Sequence, residues 1–158
     1  VHPLLSAIAL LAADGGSDAP PLNPDEPTQR LAWSFQHELR TEGSMQVFAF
    51  RSSKPISEEQ GRKTFLRFDV TLEHFPDQAS ADAAFSFSAL MKKADPNIGL
   101  SYAWDEVMLE GSTLVHLAAP CLFSKANFTR LAANLETALG RSPERTLRCE
   151  CGFGCTPR

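Results

Sequence analysis

Alternation of apolar and polar residues is the clearest pattern in this chain. From Leu31 to Arg40, the residues Leu31, Trp33, Phe35, His37 and Leu39 fall on one side of an extended backbone, and Ala32, Ser34, Gln36, Glu38 and Arg40 on the other. A period of two marks a half-buried strand, with a helix as the runner-up because Leu31, Phe35 and Leu39 are also four apart. Thr41-Glu42-Gly43-Ser44 reads as a turn, and Met45 to Arg51 as a second strand completing a hairpin. Alternation is sharper from Thr64 to Phe75: Leu66, Phe68, Val70, Leu72 and His74 point one way, and Arg67, Asp69, Thr71 and Glu73 the other. The polar stretch from Ser52 to Arg62 contains Pro55 and Gly61. Its Ser57 and Gln60 stand at capping-box spacing, which predicts one short helical turn.

The period then lengthens. After Pro76-Asp77, the residues Ala79, Ala83, Phe87, Leu90, Met91 and Ala94 recur at helical spacing, and Asp95-Pro96-Asn97 ends the run. This predicts an amphipathic helix with that stripe against the core. Leu100 to Leu109 is a strand carrying Tyr102, Trp104 and Met108; Glu110-Gly111-Ser112 turns it into a strand from Thr113 to Ala118, which Pro120 breaks. Ser124 is a suitable N-cap for a helix through Leu139, with Phe128, Leu131, Ala132, Leu135 and Leu139 inward and Gly140 at the C′ position. The order is β-β-β-α-β-β-α. Hairpins dominate it, so the expected fold is α+β: a mainly antiparallel sheet of about five strands with two helices packed on one face.

Both ends of the chain differ from this domain, which spans 29–140. Leu4 to Ala13 has Ser6 as its sole polar residue. Its length is that of a signal-peptide apolar region and about half that of a membrane-spanning helix. Residues 14–28 are rich in proline, glycine and acids and form a semi-extended linker. Leu10 to Ser17 resembles a bacterial lipoprotein signal, except that Asp14 stands where the acylated cysteine would be. The resemblance implies export without a lipid anchor. The apolar run, the small Ala13 at its end and the acidic spacer after it predict removal of residues 1–13 by cleavage near Ala13. The expected location is periplasmic or secreted, with no membrane span in the mature chain; an uncleaved N-terminus would instead hold the domain at a membrane.

Composition narrows the choice of partner. The chain is 43% hydrophobic and 22% charged, with a net charge of −4. Its basic residues form no cluster beyond the spaced Arg141, Arg145, Arg148 and Arg158, which argues against nucleic acid.

The cysteines carry the main candidate chemistry. Cys121 stands alone; Cys149, Cys151 and Cys155 crowd the tail, residues 141–158. An even count in an exported chain predicts two disulfides. A Cys149–Cys151 bond would close a very small ring. Two connectivities remain: Cys121–Cys149 with Cys151–Cys155, or Cys121–Cys151 with Cys149–Cys155. The tail has only Leu147 and Phe153 as large apolar groups, so covalent attachment is expected to be what orders it. As alternatives, the four thiolates could form a zinc module, although C-x-C-x3-C is not the usual knuckle spacing. Cys121, near a helix N-terminus, could also be a nucleophile. His116 is five residues back, roughly 16 Å along an extended chain.

His37 and His74 share the phase of apolar strand faces and are expected to be structural. A histidine-based metal site would need a third ligand such as His116 or Asp105. Asp105 and Glu106 are adjacent on a strand and face opposite ways, so they form no carboxylate pair. Asp69 and Glu73, with Arg67 and Thr71, form a solvated row. Asn127-Phe128-Thr129 matches a glycosylation sequon within a helix, where no glycan is expected. Phe48 and Phe50 face opposite to Val47 and Ala49; with Tyr102 and Trp104 they are a candidate binding surface. No phosphate loop, nucleophile elbow or dinucleotide fingerprint occurs. The reading is an exported, non-catalytic binding domain without metal or cofactor. Its ligand is a protein, in the manner of an inhibitor or immunity protein, or a small apolar molecule between sheet and helices.

Overall fold

The computed structural model describes residues 35–52, 55, 57–94, 103–139, 142–152 and 154–157. The signal-like segment, the linker and Tyr102 lie outside these residues.

The alternating segments form strands where expected. β1 (Phe35–Glu42) and β2 (Met45–Ser52) make a hairpin; β5 (Arg67–His74) follows, then β6 (Ala103–Glu110) and β7 (Thr113–Pro120). Gly43 opens the first turn at φ 61°, a conformation that glycine adopts without a Cβ penalty. These five strands are joined by two that the sequence reading assigned to a stapled tail, β8 (Arg145–Cys149) and β9 (Cys155–Pro157). The sheet therefore has seven strands, in the order β1-β2-β5-β7-β6-β8-β9, and every pairing is antiparallel. In place of the helical turn expected between Ser52 and Arg62, β3 (Ser57–Glu59) and β4 (Arg62–Thr64) form a small separate hairpin. Gln60 and Gly61 both take positive φ there, 50° and 76°, as a type I′ hairpin turn requires.

Two helices complete the described fold. α1 (Gln78–Ala94) is capped by Asp77, whose Oδ1 accepts the Ser80 N–H at 2.7 Å. Hydrogen bonds from the Ser80 backbone and side chain hold the Asp77 carboxyl below its ordinary value. α2 (Lys125–Leu139) is capped by Ser124, whose Oγ accepts the Asn127 N–H at 3.1 Å.

The helices lie on opposite faces of the sheet, not on one. Phe48, Phe50, Phe68, Val70, Leu72, Trp104, Met108 and Leu117 pack beneath α2, against its Phe128, Leu131, Ala132 and Leu135. Val107, Leu109, Leu114 and Leu147 pack on the other side, against Ala81 and Phe85 of α1. Strand residues alternate sides, so Trp104 and Met108 cannot share a face with Val107 and Leu109. β6 is apolar on both sides, as a strand between two helices must be.

The stripe of α1 is also reversed. Ala81 and Phe85 are its buried residues, at 0% and 4% exposure, whereas Phe87 (64%), Leu90 (62%) and Met91 (49%) face outward. The helix carries two apolar stripes, and tertiary contacts select the smaller. Gln78 Nε2 donates to Glu144 Oε2 at 2.8 Å, and Arg145 bonds Asp82 and Ser86, with its guanidinium 4.5 Å from the Phe85 ring centroid. These partners come from the tail, so helical periodicity alone could not reveal the orientation.

Candidate functional site

The tail is fastened by both disulfides. Cys121–Cys151 closes the longer loop, with a sequence separation of 30; Cys149–Cys155 joins directly opposed residues of β8 and β9, with a separation of 6. This is one of the two connectivities that spacing left open. All four sulfurs are paired, so in this state Cys121 has no thiol to act as nucleophile and the four cysteines have no thiolate for a metal. Among the described residues, no group of three or more His, Cys, Asp or Glu is placed to hold a metal ion.

Burial also orders the tail, contrary to the expectation that covalent attachment alone would do so. Thr146, Leu147, Arg148 and Cys149 are all buried, because β8 lies inside the sheet beside β6. Arg148 Nε donates to Glu106 beneath α2, with the two side chains 4% and 0% exposed; its Nη1 lies 3.4 Å from Thr129 Oγ1. An ion pair so dry needs hydrogen bonds to offset desolvation.

On the α1 side the sheet is only partly covered. Among the described residues, α1 packs mainly against β6 and β7. A depression of about 590 Å³ lies over β1, β2 and β5, lined by Glu38, Arg40, Ala49, Phe50, Arg51, Arg67 and Asp69. Its size falls within the range of small-molecule sites. Arg51 and Arg67 are directly opposed across β2 and β5, and the Arg51 guanidinium lies 3.7 Å from the Phe65 ring centroid. Pairing across β7 puts Asp69 and Asp105 on either side of Ala118, so the solvated row continues toward β6. Asp105 bonds the His116 ring, while Glu106 reaches Arg148 on the opposite face, so these adjacent acids are separated as expected. A carboxylate-held imidazole can move a proton, but that is half of an acid–base site and no thiol nucleophile accompanies it.

The other residues singled out in the sequence are dispersed. Phe48, Phe50 and Trp104, read as a candidate binding surface, are 1%, 1% and 6% exposed and belong to the core. Trp104 Nε1 donates to the Phe123 carbonyl at 2.7 Å, and Phe50 stacks on Phe68 at 4.4 Å between centroids. A clean period of two cannot say which face a second layer covers. His74 is exposed at its strand end, with Nδ1 3.0 Å from Thr113 Oγ1. His37 pairs in register with Phe50; its side chain lies outside the described residues. Asn127 of the sequon is fully buried.

Among the described residues, Phe87, Leu90 and Met91 of α1 form a stripe of exposed large apolar side chains. Ala83, Phe87 and Leu90 recur at spacings of four and three, the seam of a helix that packs on another helix or in a groove, and Met91 lies beside them. The sequence marked these residues; it assigned them to the core. The charged depression was missed, because Arg51 and Arg67 meet only once the β2–β5 register is known. No protein-family model matches this chain, and no curated protein or solved structure matches it either.

Proposed function

We propose that this is an exported, non-catalytic interaction domain that binds a partner protein through the outer face of α1. The observation that carries the reading is the exposure of Phe87, Leu90 and Met91 at 64%, 62% and 49%. A contiguous apolar patch on a folded domain is stable in water at a cost and is typical of a partner surface. The complementary partner offers an apolar groove for these three side chains. The two disulfides suit an oxidising location outside the cytoplasm, and the signal-like Leu4–Ala13 adds to that reading. A protein partner fits better than a small apolar ligand, because the aromatic residues between sheet and α2 pack against one another.

The experiment is a photo-crosslinking comparison in the native source. A benzoylphenylalanine replaces Leu90 in one form and the exposed Lys63 in another. One defined adduct from position 90, absent from position 63 and lost on Phe87→Asp, is expected. An adduct formed equally from both positions, or unaffected by Phe87→Asp, overturns the reading.

A further inference from the structure

The two edges of the sheet are built differently. β9 ends one side with three residues, Cys155–Pro157, and its proline removes a ladder donor. Short strands and prolines are the usual protection of an edge against pairing with another chain. β1 ends the other side with eight residues, Phe35–Glu42, without proline or glycine and in unbroken register with β2. Among the described residues it pairs with β2 alone.

Hairpin geometry fixes which backbone groups β1 presents. The turn at Gly43 and Ser44 has two residues, so Glu42 and Met45 form its closing hydrogen-bonded pair. Such pairs alternate along an antiparallel ladder. Arg40 and Glu38 therefore direct their backbone groups to β2, while Thr41, Leu39 and His37 direct theirs to the free edge.

We propose that β1 pairs antiparallel with β1 of a second copy of this chain, about a two-fold axis at Leu39. In that register Leu39 opposes Leu39, and Glu38 of each copy opposes Arg40 of the other. The occupant follows from charge. An axis at Glu38 or at Arg40 would set like charges against each other, whereas the axis at Leu39 makes two opposite-charge pairs and uses nearly the whole strand. Glu38, Leu39 and Arg40 are exposed, and Leu39 at 41% is among the exposed large apolar side chains. The pairing joins two seven-stranded sheets into one continuous sheet and places the two charged depressions side by side. A symmetric, self-complementary edge of this kind generates a closed dimer and not a fibre.

The test is sedimentation equilibrium of the full chain from micromolar to millimolar concentration, with circular dichroism to confirm folding of each variant. The unchanged protein should show a monomer–dimer equilibrium. Arg40→Glu alone and Glu38→Arg alone should each weaken self-association by about tenfold or more, since both pairs become repulsive. The double exchange Glu38→Arg with Arg40→Glu should restore it. An equimolar mixture of the two single variants should form a heterodimer, because every opposed pair is then of opposite sign. A protein that stays monomeric at every concentration overturns the proposal, as does a dimer indifferent to the single changes or not restored by the exchange. The outer face of α1 is separate from this edge, so the outcome is independent of the partner surface proposed above.

Discussion

The β6–β8–β9 end of the sheet and the β1–β2–β5 end are held by different physics. At the first, helices cover both faces, Arg148 and Glu106 are desolvated together, Arg145 reaches α1, and two disulfides close the chain. At the second, one face of β2 and β5 packs against the core beneath α2, and the other side carries Glu38, Arg40, Arg51, Arg67 and Asp69 around a depression. The elements of the open end are legible from local alternation. At the covered end β6 and the helices are legible as well, but β8 and the buried side of α1 depend on contacts between residues far apart in sequence. β8 in particular brings partners to both helices, so it orients them as well as extending the sheet.

The sharpest way to break this contrast is to remove one partner of the buried pair. Arg148→Met takes the Nε donor away from Glu106, which is 0% exposed and whose Oε1 has no hydrogen-bond partner among the described residues. Stability should fall by about 3–5 kcal/mol, read as a shifted urea midpoint, whereas Arg148→Met combined with Glu106→Leu should come close to the unchanged protein. A loss below about 1 kcal/mol for the single variant would mean that the pair is hydrated and that the covered end is not held as described.

The disulfide that closes the longer loop is the next test. Cys121→Ser with Cys151→Ser should cost about 3–4 kcal/mol by the loop-entropy estimate. Burial of Leu147 and Cys149 and the pairing of β8 with β6 should nevertheless keep the tail strand in place. Hydrogen exchange separates the two contributions: amides of β8 should stay protected in native conditions. If they exchange as freely as an unfolded chain while the rest of the sheet is protected, the staple and not burial orders the tail.

Sequence legibility follows the same division. The strands at Met45, Arg67 and Thr113 and both helix caps, Asp77 and Ser124, were readable because their signals are local: a period of two, or one oxygen before a helical run. The tail strand was not, because Arg145 and Arg148 interrupt its apolar pattern and make sense only beside Asp82 and Glu106. The side of α1 was misread for a related reason. Phe87, Leu90 and Met91 outweigh Ala81 and Phe85 in apolar bulk, so a hydrophobic pattern favours the stripe that faces solvent. The pairing of the cysteines needed space as well as spacing: Cys149 opposes Cys155 only because the chain turns back between β8 and β9.

The smallest effect is expected at the open end, and its sign is informative. Arg67 is exposed and stands directly opposite Arg51. Replacing it with Met removes the same charge that Arg148→Met removes, but from a solvated face where no buried acid is left without a partner. Opposed like charges on neighbouring strands destabilise slightly, so the change should shift stability by no more than about 0.5 kcal/mol, and upward. The shift should shrink in about 1 M salt, where the screening length is only about 3 Å and the repulsion in the unchanged protein is already suppressed. Urea melts of both proteins at low and high salt measure this directly. A loss comparable to that of Arg148→Met would show that the open face is as tightly built as the covered end, and the contrast between the two halves of the sheet would not survive.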